Sequence, residues 1–97
     1  MGVVWTEYQK EKKNYPGLKL VIKNRLRRDN VECHGLANLN TKTIYLAASL
    51  CEVPDKFKLV VFYHELFHIK MTGKWIPFEE LFADLYAYYR VWRWKKC

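Results

Sequence analysis

Residues 54–73 read PDKFKLVVFYHELFHIKMTG, and the organisation of the chain follows from them. Pro54 followed by Asp55 suits the first turn of a helix, where a missing N–H costs nothing and an acid faces the positive end of the dipole. Ser49 with Glu52 fits a capping box, which predicts a short turn feeding that helix. No breaker follows until Gly73, a natural C-terminal stop. With His64 at zero, Leu59, Phe62, Tyr63, Leu66 and Ile69 fall between about 140° and 260° around the axis, a contiguous apolar back. His64, Glu65 and His68 occupy the other side. The spacing predicts one helix to about Thr72 with a core face and a chemical face.

His64-Glu65-Leu66-Phe67-His68 is an HExxH motif. Histidines four apart on a helix differ by about 40° in direction, so both imidazoles reach one side and can share a metal ion. The glutamate beside them is placed to take a proton from a metal-bound water. A catalytic zinc wants three protein ligands and one open position. The third ligand can be His34, a cysteine or a carboxylate, and chain geometry favours Glu80.

Pro77 opens a second helix, with Glu79 and Glu80 in its first turn, that runs to about Trp94. If the two helices are antiparallel about the connection near residues 71–77, His68 and Glu80 lie at one level. One turn further away, Asp84 comes level with His64, where a carboxylate accepts a ligand histidine's N–H and fixes its tautomer. Glu80, Ala83, Asp84 and Ala87 share a face, and the alanines permit close approach. Glu79 points about 100° away. The plainer alternative makes Glu79 and Glu80 helix-start acids only.

Upstream, Val4 to Asn14 reads as a helix ended by Pro16-Gly17. Leu18 to Lys23, Val31 to Asn38 and Thr43 to Ala48 read as strands, with Asn40-Thr41-Lys42 joining the last two as a hairpin. The expected architecture is α+β: an N-terminal helix, a small three-stranded sheet, the HExxH helix and an antiparallel glutamate helix. Cys33 and His34 face opposite sides of a strand and cannot share an ion. Cys51 reads as a small buried apolar residue.

The chain has 97 residues, 17 basic and 10 acidic, a formal net charge of +7. That length is one domain, residues 1–97. A composition 51% hydrophobic and 16% aromatic excludes intrinsic disorder. The unbroken apolar run from Leu59 to Tyr63, which no other run exceeds, is far below a membrane span, so no membrane insertion is expected. Three cysteines make an odd count without a disulfide pattern. With no secretory signal read at the N-terminus, reduced thiols and a cytoplasmic location are expected. Basic residues concentrate between Lys10 and Arg28 and again in Arg90, Arg93, Lys95 and Lys96. Such a distribution keeps a small protein soluble or contacts nucleic acid.

The residues His64-Glu65-Leu66-Phe67-His68 followed by Glu80-Leu81-Phe82-Ala83-Asp84 resemble the HExxH…ExxAD signature of gluzincin metallopeptidases, nearest to the HtpX and CAAX-prenyl-protease group. Gly35 to Asn40 and Thr43 to Ala48 are similar to that group's edge strand and the strand before its metal helix. A chain of this size with that core resembles a minigluzincin. The resemblance implies a minimal zincin core with one Zn2+ on His64, His68 and Glu80, Glu65 as general base, and Asp84 supporting the site. A short spacer between His68 and Glu80 replaces the long insertions of larger gluzincins.

The expected activity is hydrolysis of a peptide or protein substrate by a zinc-polarised water with Glu65 carrying the proton. Substrate would lie extended along Leu36, Ala37 and Asn38, paired backbone to backbone. Tyr86, Tyr88, Tyr89 and Arg90 are candidates for stabilising the oxyanion. Residues 90–97 form a packing or inhibitory tail, in which Cys97 could reach the open metal position and leave the full chain latent. The rival reading is a basic nucleic-acid- or partner-binding module with a structural or vestigial zinc site.

Overall fold

The computed structural model describes residues 1–74 and 77–96. They form a small α+β domain with three α-helices: α1 (Gly2–Lys12), α2 (Asp55–Lys70) and α3 (Glu79–Lys96). Five short strands lie between α1 and α2: β1 (Lys19–Lys23), β2 (Leu26–Arg28), β3 (Val31–Cys33), β4 (Gly35–Asn38) and β5 (Thr43–Ala47). No helix among the described residues is long and apolar enough to cross a membrane.

The three-stranded sheet has the order β1-β5-β4, with β5 parallel to β1 and antiparallel to β4. The central strand carries the most buried sequence, with Ile44 and Leu46 at its heart. Asn38 accepts hydrogen bonds on Oδ1 from the amides of Asn40, at 3.1 Å, and Thr41, at 3.3 Å, which closes the β4–β5 hairpin. The expected single strand from Val31 to Asn38 is broken at His34. Its first part pairs with β2 as a separate antiparallel ribbon. The ribbon turns at Asp29 and Asn30, whose φ values of 53° and 67° fit a two-residue turn that Asp and Asn tolerate.

α2 buries the expected apolar back: Leu59, Phe62, Tyr63, Leu66 and Ile69 are all in the core. Asp55 is its first residue, with Pro54 just outside, and Gly73 has a φ of 82° at its end. Ser49 makes no capping bond; residues Ala48–Glu52 form a 3-10 turn that takes the chain into α2 instead. Cys51 is exposed, which corrects the expectation of burial, because that turn points it away from Leu50 in the core. α3 starts at Glu79, two residues after Pro77, and Phe78 precedes it at a φ of 57°.

α3 packs against α2 through Ala83, Ala87 and Val91. The pairs His68 with Glu79, His64 with Asp84 and Tyr63 with Tyr86 run in opposite chain directions, so the two helices are antiparallel. α1 covers the opposite end of this layer with Val4 and Tyr8, and also with two acids, Glu7 and Glu11, at buried positions. Each is satisfied: the Tyr63 hydroxyl donates to Glu7 at 2.8 Å, and the Arg90 guanidinium donates to Glu11. Helix–helix contact here depends on polar pairs as well as apolar area.

Candidate metal centre

Antiparallel packing carries the first turn of α3 alongside the HExxH turns of α2. Glu80 reaches both histidines, with one carboxylate oxygen 3.0 Å from His64 Nε2 and the other 3.1 Å from His68 Nε2. The two Nε2 atoms stand 3.3 Å apart. The opposite ring nitrogens are held by carboxylates: Asp84 Oδ1 lies 2.6 Å from His64 Nδ1, and Glu79 bonds Nδ1 of His68.

Asp84 and Glu79 accept from the Nδ1 atoms in the tautomer that leaves each Nε2 without a proton. In that tautomer both Nε2 lone pairs stand beside the Glu80 carboxylate, a set of three acceptors suited to a cation. Ligand bonds of about 2.0–2.1 Å in tetrahedral geometry put donor atoms about 3.3 Å apart. The 3.3 Å between the two Nε2 atoms matches, and the Glu80 carboxylate lies beside both, so the His64, His68 and Glu80 group could hold a metal ion.

Glu65 faces a cleft of about 180 Å³ lined also by Arg28, Leu36, Ala37, His68, Glu79 and Glu80. Burial pushes its carboxyl above the usual carboxylate range, an effect opposed by the His64 and His68 imidazoles. The strand β4 lies directly against it. A Cβ at Gly35 would stand 3.2 Å from Glu65 Cγ and 2.7 Å from Val61 Cγ1, so only glycine lets the strand come this close.

No protein-family model matches the chain, and no curated protein matches it.

Most residues singled out in the sequence converge here. Leu36 and Ala37 line the cleft, and with Asn38 they continue into a neighbouring groove of about 510 Å³. The Asn38 side chain is itself engaged in its hairpin. His34 is exposed and lies outside the cluster. Cys33 lies near Glu65, whose charge adds to burial in raising the thiol above its ordinary value. Tyr86 and Arg90 belong to another environment: Arg90 donates to the Tyr86 hydroxyl at 2.8 Å and pairs with Glu11. Residues 90–96 continue α3, and Cys97 lies outside the described residues.

Two contributors were not expected. Glu79, about 100° from Glu80 in helical phase, nevertheless binds His68, because a long side chain on the first helical residue can bend back across the helix end. Arg28 enters the cleft from the ribbon, and the signal for it is the Asp29-Asn30 turn that follows.

Proposed function

We propose that the chain is a zinc-dependent metallopeptidase of the gluzincin kind, built on a minimal zincin core of the minigluzincin type. The observation that carries this reading is the convergence of His64 Nε2, His68 Nε2 and the Glu80 carboxylate on one point beside Glu65. Two imidazoles and a carboxylate are a zinc donor set, and three protein ligands leave a position for chemistry. A structural zinc site would be closed by a fourth ligand, commonly cysteine, and none joins the cluster among the described residues.

Zinc, when bound, supplies a Lewis acid that lowers the pKa of a bound water towards neutrality and polarises a carbonyl. The chain's own residues do the rest. Glu65, partly desolvated in the cleft, accepts the proton of the attacking water and returns it to the leaving amine. The outer edge of β4 pairs with an extended peptide through backbone groups at Leu36, Ala37 and Asn38, a mode largely indifferent to sequence. Arg28, the one arginine or lysine among the described cleft residues, supplies positive charge for the oxyanion in place of Tyr86, Tyr88, Tyr89 or Arg90. Asp84 and Glu79 hold the ligand tautomers.

Latency through the tail would require the last turns of α3 to unwind, since the helix carries residue 96 about 24 Å along its axis from Glu80. The basic-module reading is less supported. The eight basic residues from Lys10 to Arg28 are divided among α1, β1, β2 and their connections, and Lys10 is paired with Glu7.

Metal content and cleavage of a quenched peptide, measured together, test the proposal. One zinc per chain is expected in the wild type and in Glu65→Gln, and much less in His64→Ala and Glu80→Ala. Cleavage should vanish in Glu65→Gln. A chain ending at Trp94 keeps Arg90 and Val91 and tests latency. Full zinc retention in Glu80→Ala, or cleavage that survives Glu65→Gln, would sink the reading. Salt-dependent RNA binding that survives Glu65→Gln, with no cleavage by either chain length, would replace it.

A further inference from the structure

A cavity of about 450 Å³ lies among the three helices and shares no residue with the metal group. Glu7 and Lys10 of α1, Tyr63 and Lys70 of α2, and one face of α3 from Tyr86 to Trp94 form its wall. Of the basic residues in that wall, the fold itself uses Lys10 and Arg90. Lys10 pairs with Glu7 at 3.1 Å, and Arg90 donates to Glu11 and to the Tyr86 hydroxyl. Lys70 and Arg93 have no carboxylate partner among the described residues. Each is held beside an aromatic ring instead, the Lys70 ammonium 5.1 Å from the centre of the Tyr86 ring and the Arg93 guanidinium 5.9 Å from that of Tyr89. Such contacts orient a cation without neutralising it. Glu7, the one acid among the described lining residues, is already matched by Lys10 and the Tyr63 hydroxyl. The cavity therefore keeps the positive charges of Lys70 and Arg93.

We propose that this cavity binds a phosphate monoester carried on a planar ring, the chemistry of a nucleoside monophosphate. Such an ester carries about 1.5 to 2 negative charges at neutral pH, which matches the charge that Lys70 and Arg93 leave over. The arginine fork suits a pair of phosphate oxygens, and the lysine adds a point charge. Tyr89, 51% exposed, and the half-buried Trp94 add aromatic surface against which a planar ring packs. A small inorganic anion would leave that surface unused, and a neutral ring would leave the charges unused. The volume falls in the range of small-molecule sites. Behind the cavity wall, the Tyr63 hydroxyl bonds Glu7 at 2.8 Å and the Arg90 guanidinium lies 4.7 Å from the centre of the Tyr63 ring. That network holds the wall in place before a ligand arrives, which lowers the cost of binding.

The test is calorimetric titration of the full chain with AMP, phenyl phosphate, adenosine and inorganic phosphate. At least one of the two esters should bind with a Kd below about 1 mM, and adenosine and inorganic phosphate about tenfold more weakly or less. Lys70→Gln and Arg93→Gln should each weaken that ester about fivefold or more, with unchanged circular dichroism. Tyr89→Ala should bring its affinity down towards that of inorganic phosphate. Lys19→Gln, on β1 and outside the cavity, should bind it as the wild type does. His64→Ala should also bind normally, because the cavity and the metal group are separate, so failure of the metallopeptidase reading leaves this expectation standing. A wild type that binds neither ester overturns the proposal, as do Lys70→Gln and Arg93→Gln proteins that bind as well as the wild type. A loss in Lys19→Gln equal to that in Lys70→Gln reduces the effect to general attraction by a basic chain and overturns it too. Binding that disappears in His64→Ala places the phosphate on the metal group instead. Inorganic phosphate or adenosine binding as tightly as the ester overturns the paired recognition of charge and ring.

Discussion

Glu79 binds Nδ1 of His68 at the start of α3, as Asp84 binds Nδ1 of His64 five residues later. Both proposed histidine ligands therefore have their free ring nitrogen held by the same helix that supplies the third donor. Removing such a partner leaves the ligand's tautomer and ring angle unset. Glu79→Ala and Asp84→Ala should each weaken zinc binding about 10–100-fold in competition with a chelating dye. Glu79→Gln should lose less, because its amide oxygen still accepts from Nδ1. Unchanged affinity in both alanine variants would remove them from the site.

The α2 helix, its core face and the His64–Glu80–Asp84 alignment were legible because helical phase and a short antiparallel connection constrain direction strongly. The sheet was less so. Three-residue strands such as β2 and β3 carry too little alternation to register, and the break at His34 has no glycine or proline before it to announce it. α1 was legible as a helix but not in its packing. Positions 4, 7, 8 and 11 face inward, and two of them are glutamates, which pattern reading assigns to solvent. Their partners, Tyr63 and Arg90, lie more than fifty residues away, so nothing local reveals that the charges are satisfied. Glu79 escaped because phase treats a flexible side chain as a fixed spoke.

Gly35 is expected to be irreplaceable for activity before it is so for metal. In Gly35→Ala the new methyl would overlap Val61 and press on Glu65. Either β4 moves outward or the Glu65 side chain does. The stability loss should be about 1–3 kcal/mol, the range of small-to-large changes in packed sites. Peptide cleavage should fall at least tenfold while zinc stoichiometry stays at the wild-type value, since no proposed ligand is touched. Loss of metal together with activity would show that Gly35 supports the whole cluster.

Stability should decline on the alkaline side. Burial raises the phenols of Tyr86 and Tyr15 above their ordinary 10.0, with Glu11 adding to the rise and Arg90 opposing it. The unfolded chain then releases these protons at a lower pH than the folded one. Their contribution is complete below the unfolded value and is lost as pH rises through the folded ones. Denaturant midpoints should therefore fall above about pH 10 and fall less steeply in Tyr86→Phe. Equal slopes in the two proteins would exclude Tyr86 as a cause.

The pair between Arg90 and Glu11 ties the last turns of α3 to α1. The Glu11 side chain is 5% exposed and that of Arg90 is 30% exposed, with the guanidinium also 4.7 Å from the centre of the Tyr63 ring. Arg90→Ala strands a buried carboxylate and opens the α1–α3 contact. It should cost on the order of 2 kcal/mol, below the range for a fully buried pair because water reaches one side. Glu11→Gln in the same background should recover part of that loss, since a neutral amide tolerates burial without a cation. Metal binding should persist, because α1 lies apart from the cluster. The consequence for the tail is direct: a chain cut after Tyr89 loses Arg90 and Val91 together and should be much less stable than one cut after Trp94. Comparable thermal midpoints for the two truncations would show that α3 beyond Tyr89 contributes little to the fold, leaving its end free for another role.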